Sequence, residues 1–143
     1  MVAAGCSAAV AVLHLAILLV GPPWYRYFGA PSLARQIESG SALVPWLLTL
    51  AVAALFALSA GYGLSGAGVI RRLPLLRVAL YTIAAVYLLR GLQVVPEVIV
   101  WIQGRIPPRF AVFSAFSAFA GVVYLLGTIR TGRASRTPPA HAA

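Results

Sequence analysis

Four apolar runs dominate this chain, at about residues 3–20, 43–64, 75–103 and 109–129. Each reaches the roughly 20 residues that a helix needs to cross the hydrocarbon core of a bilayer. Proline punctuates them: Pro22 and Pro23 stop the first, and Pro107 and Pro108 precede the fourth. Pro45 falls in the first turn of the second, where its missing N–H has no helical partner to lose. None of the runs alternates with period two, as a barrel strand would. Only 9% of the residues are charged, against about 25% in an ordinary soluble domain. The expected fold class is all-α: an integral membrane four-helix bundle. Residues 1–130 form its transmembrane domain, and 131–143, rich in Arg, Ser, Thr and Pro, form a disordered cytoplasmic tail.

The net charge of +9 would suggest nucleic acid in a soluble chain. Here the arginines cluster at the ends of apolar runs, with no basic helix face and no base-stacking motif, so no nucleic-acid partner is expected. Their placement reads as topology instead. Arg71, Arg72, Arg77, Arg130, Arg133 and Arg136 fall on one side if the runs alternate, and Arg26, Arg35, Arg105 and Arg109 fall on the other. The larger set marks the cytoplasmic side, which puts both termini there. Trp24, Trp46 and Trp101 all land at the opposite boundary, where interfacial rings anchor a span. All eleven basic residues are Arg, a GC-rich codon signature that points to a bacterium and its inner membrane. In the first loop, Ser32 caps an expected short helix at 33–39, ended by Gly40 and lying on the membrane surface; the alternative is an ordered turn packed on the bundle.

The third run carries the best candidate site. Arg90, Gln93 and Glu97 follow one another at i, i+3 and i+7, so a helix places all three on one face. Glu97 is one of only two acidic residues in the chain. Ionisable groups within a span cost roughly 2.5–3.5 kcal/mol each on insertion scales, and so face partners. Arg90 and Glu97 are about 10 Å apart along the axis, which leaves Gln93 or another helix to bridge them. Pro96 gives this long run a reason to kink. His14, at mid-depth in the first run, is expected either as a packing histidine or as a proton-handling or ligand group. The fourth run spaces Ser114, Ser117, Gly121, Tyr124 and Thr128 three or four apart, a helix-contact face or the polar wall of a cavity.

Other chemistries lack their parts. There is no Asp, no second carboxylate in a span and no cluster with metal-ligand spacing, so no catalytic or metal site is expected. One histidine within a span excludes bis-His haem in a single chain, and the residues name no cofactor. Cys6 has no partner for a disulfide. Gly61 to Gly66 spells G-x-G-x-x-G, but it follows a membrane helix and lacks the downstream acidic residue, so it reads as a helix end.

Three stretches carry a resemblance: Pro23-Trp-Tyr-Arg-Tyr-Phe-Gly29, Ser65-Gly-Ala-Gly-Val-Ile-Arg-Arg-Leu-Pro-Leu-Leu-Arg77 and Tyr87-Leu-Leu-Arg-Gly91. The chain resembles a set of small, uncharacterised four-span bacterial inner-membrane proteins. Its layout is also similar to that of DoxX-like proteins. The resemblance implies a four-span fold and brings no function.

The residues themselves lead to a membrane protein that binds a small anionic, lipid or quinone-like ligand, or passes protons. Arg90, Gln93 and Glu97 would form that site, with His14 and Tyr124 lining it. The alternative is an accessory subunit, in which the polar stripe binds a membrane-protein partner or a second copy. An enzyme is the less favoured reading.

Overall fold

A computed structural model describes residues 1–134. Among them every regular element is helical: α1 (Val2–Val20), α2 (Pro22–Tyr27), α3 (Pro31–Glu38), α4 (Leu43–Gly66), α5 (Leu76–Gly91), α6 (Val94–Ile102) and α7 (Arg109–Ala134). α1, α4, the combined α5–α6 segment and α7 are each long and apolar enough to cross a membrane. Only 22–28% of the residues in their most apolar windows are buried. Leu47, Leu55, Val86, Leu89, Phe119 and Val122 are among the large apolar side chains left outside. Water penalises such a surface and hydrocarbon does not, so the distribution suits a multi-pass membrane protein. α7 continues to Ala134, four residues into the segment read as a tail, and the rest of that segment lies outside the described residues.

The chain divides into two compact units, Gly5–Ala60 and a second made of Met1–Ala4 with Gly61 onward. In the first, the prolines that end α1 also start α2. Gly21, at φ 82°, turns the chain, and Pro22 and Pro23 occupy the opening positions of α2, where no N–H is required. The loop therefore holds two short helices instead of the single one expected. The expected cap is also corrected. α3 opens with Pro31 behind Ala30, and Ser32 lies inside the helix, because a proline pre-set at helical φ starts the turn without a side-chain cap. Gly40, at φ 88°, closes α3 through the Ser41 N–H to Gln36 carbonyl bond of 2.9 Å. Leu33 and Ile37 pack against Ile17, Tyr25 and Ala34, so the apolar side of α3 rests on its own unit. Arg26 and Glu38 pair at 2.5 Å across α2 and α3, half-exposed, which makes the pair a weak stabiliser.

Tyr25, 2% exposed, ties this loop to α4. Thr49 Oγ1 donates to the Pro45 carbonyl at 2.8 Å, so the Tyr25 hydroxyl donates to Thr49 Oγ1 at 2.6 Å. Tyr25→Phe keeps the ring and removes this bond together with the longer 3.5 Å contact from the hydroxyl to the Pro45 carbonyl. We expect a loss of about 1 kcal/mol in thermal unfolding, with no change in helical content. An unchanged melting temperature would mean the bond adds nothing to the fold.

In the second unit, residue numbers rise along α5 and α6 as they fall along the facing surface of α7, so the pair is antiparallel. Tyr87 stacks on Tyr124 with centroids 5.7 Å apart, Leu88 meets Gly121, and Gly91 meets Ala118. Small residues at these positions let the two backbones approach closely. Pro96 interrupts the third span as expected. It has no N–H for the Leu92 carbonyl, and the helix breaks at Leu92 and Gln93. There the ladder tightens to i→i−3 bonds, Gln93 N–H to Arg90 at 3.3 Å and Val95 N–H to Leu92 at 3.4 Å.

Candidate functional site

The break in the third span lies inside the polar stripe, with Arg90 before it and Glu97 after it. The two side chains approach to 3.5 Å between Arg90 Nη1 and Glu97 Oε1. A direct contact across two turns exceeds what the axial spacing suggests, and the long arginine stem accounts for it. The bridge between them is Ser114 of α7, which is fully buried. Arg90 Nη1 donates to Ser114 Oγ, and Ser114 Oγ donates to Glu97 Oε2 at 2.5 Å. Every hydrogen in this chain of bonds therefore points from the guanidinium toward the carboxylate.

Gln93 does not join the cluster. It sits at the helix break, exposed, and its side chain has no hydrogen-bond partner among the described residues. The stripe is also less enclosed than a mid-span charge pair suggests, since the Arg90 side chain is 45% exposed and that of Glu97 is 19% exposed. Nη1 makes both of the arginine's contacts, and among the described residues Nη2 and Nε have no acceptor. The arrangement is a neutral pair bridged by a buried serine, in which a 45% exposed arginine keeps two nitrogens without an acceptor among the described residues.

The other expected residues lie elsewhere. Tyr124 shares the unit but is ten residues from Ser114, about 15 Å along α7. It stacks on Tyr87, and its hydroxyl lies 3.0 Å from where a Cβ on Gly63 would stand. Ser117 and Thr128 bond back to the carbonyls of Phe113 and Tyr124 within α7, at 3.0 and 2.7 Å. His14 belongs to the other unit. Its Nδ1 lies 2.8 Å from the Val10 carbonyl, which can only accept, so Nδ1 carries the hydrogen. The ring packs on Phe56 at 5.3 Å and lines a cavity of about 170 Å³ together with Tyr25 and Thr49.

No family model, curated protein or solved structure matches this chain.

Proposed function

We propose that this is a four-span helical bundle of the bacterial inner membrane, both termini cytoplasmic, that holds the head group of a membrane-soluble ligand at Arg90. The two guanidinium nitrogens without an acceptor among the described residues, on a 45% exposed side chain, carry the reading. A planar fork with two unused nitrogens suits a carboxylate, phosphate or quinone-like carbonyl acceptor. Glu97 balances the charge, and Ser114 fixes the orientation of both. Proton passage is the weaker use of the same residues, because a guanidinium offers donors and no acceptor, so a relay through it stops. A second reading is favoured by Gln93, whose exposed amide next to Arg90 suits a polar partner helix or a second copy.

Native mass spectrometry of the mildly extracted chain, with an absorption spectrum of the same sample, separates the two. We expect a bound small molecule in the wild type that is absent from a folded Arg90→Met/Glu97→Gln variant. A stoichiometric protein partner or a second copy released by the same variant would support the accessory reading instead. A chain that is bare in both forms would refute the ligand reading.

A further inference from the structure

A second basic site stands at one end of the same unit. α4 closes at Gly66, and Gly68, at φ 73°, ends it with the Val69 N–H to Leu64 carbonyl bond of 3.0 Å. The following loop is anchored to the helix it leaves. Ser65 Oγ donates to the Arg71 carbonyl and accepts the Leu73 N–H, both at 3.0 Å, and the Tyr62 hydroxyl donates to the Pro74 carbonyl at 3.3 Å. Between this loop and the start of α5 is an open cavity of about 400 Å³. Arg72 and Arg77 line it together with Leu76, Leu80 and Gly66. Leu80 is buried, and its Cδ1 would lie 2.9 Å from a Cβ on Gly66, so the glycine is what leaves room at that wall.

The charge here has no answer among the described residues. The sequence contains two acidic side chains, and both are engaged elsewhere, Glu38 with Arg26 and Glu97 with Arg90. Arg72 on the loop and Arg77 in the first turn of α5 thus bring two cations to one cavity, with no side-chain carboxylate to neutralise them. α5 opens beside them at Leu75 without a side-chain cap, and a helix start carries partial charge of the same sign. The cavity also joins two kinds of wall, arginines and leucines. It lies at the ends of two helices long enough to cross a membrane, which is the level of the lipid phosphates.

We propose that this cavity binds the phosphodiester head group of an anionic phospholipid, held by Arg72 and Arg77, with acyl carbons along Leu76 and Leu80. Basic pockets at the ends of transmembrane helices recognise anionic head groups in this way. The inference shares with the proposed function the reading that these helices span a bilayer, but it concerns a separate site.

The test is native mass spectrometry of the full chain in mild detergent, titrated with phosphatidylglycerol or phosphatidylcholine. We expect the wild type to retain phosphatidylglycerol about tenfold better. Arg72→Gln and Arg77→Gln should each reduce that preference, and together they should remove it. Arg35→Gln/Arg105→Gln, which takes away the same charge elsewhere in the chain, should leave it intact. Equal retention of the two lipids by the wild type would overturn the proposal. So would a preference that survives Arg72→Gln/Arg77→Gln, one lost in the charge-matched control, or displacement of the lipid by millimolar inorganic phosphate.

Discussion

Gly91→Ala is expected to destabilise the protein by about 2–3 kcal/mol, although it adds a single methyl group and improves helix propensity. A Cβ at that position would stand 2.6 Å from Ala118 Cα and 2.7 Å from both Ala118 N and Cβ. Real Cβ contacts do not come so close. Two of the three atoms are backbone, so no rotamer change relieves the clash, and α5 must move away from α7. Gly121→Ala meets the Leu88 side chain at 2.8 Å and its backbone nitrogen at 2.9 Å. The leucine side chain can turn but its nitrogen cannot, so a loss of similar sign and somewhat smaller size follows. Gly61→Ala provides the contrast. It has nothing within 4 Å, and should gain about 0.5–1 kcal/mol from helix propensity alone. Thermal unfolding of the three variants in one detergent reads all of this. If Gly91→Ala melts with the wild type, the close approach of α5 and α7 is not a feature of the protein in solution.

That close approach marks where the sequence stops being legible. The four long helices follow from run length and hydropathy, properties each segment carries alone. The break at Leu92 and Gln93 follows from Pro96, because a missing donor acts on its own helix. Ser114 was visible as part of a contact face on the fourth run, but its role was not. That role depends on which residue of α5 or α6 it meets, and a residue's neighbour across an antiparallel pair is set by the connecting turn. One signal was present. Glu97 and Ser114, Gly91 and Ala118, Leu88 and Gly121, and Tyr87 and Tyr124 are all nearly equidistant from the turn around Arg105. Treating the short turn as a hairpin would have matched Ser114 with Glu97. It would also have separated Tyr124 from the stripe. The first loop failed for a different reason. Taken alone, Pro22 and Pro23 signal a stop, but proline both ends one helix and starts the next, a choice decided by the packing of Tyr25 and Ala34 against Ile17.

The Arg90, Ser114 and Glu97 cluster yields the second large effect, and a double-mutant cycle reads it. Arg90→Met leaves the Glu97 carboxylate in a span with Ser114 as its remaining donor. Stranding one partner of a buried pair costs roughly 3–5 kcal/mol, and the partial exposure of Arg90 reduces this to about 2–3 kcal/mol. Glu97→Gln should cost less, about 1 kcal/mol, since the one amide oxygen still accepts from Ser114 and the Arg90 side chain left without its carboxylate is 45% exposed. Ser114→Ala removes a fully buried bridge and leaves the long 3.5 Å contact to carry the pair, for a loss of about 1–2 kcal/mol. The combination Arg90→Met/Glu97→Gln restores neutrality within the span. It should therefore unfold within about 1 kcal/mol of the wild type, a coupling of about 2 kcal/mol between the two sites. Additive losses would mean that the two charges do not act as a pair. The neutral double variant is also where structure and function separate. It keeps the fold while discarding the guanidinium fork, so a purely structural cluster predicts that any bound molecule persists in it. A ligand held by the remaining donors of Arg90 is lost from the same folded protein.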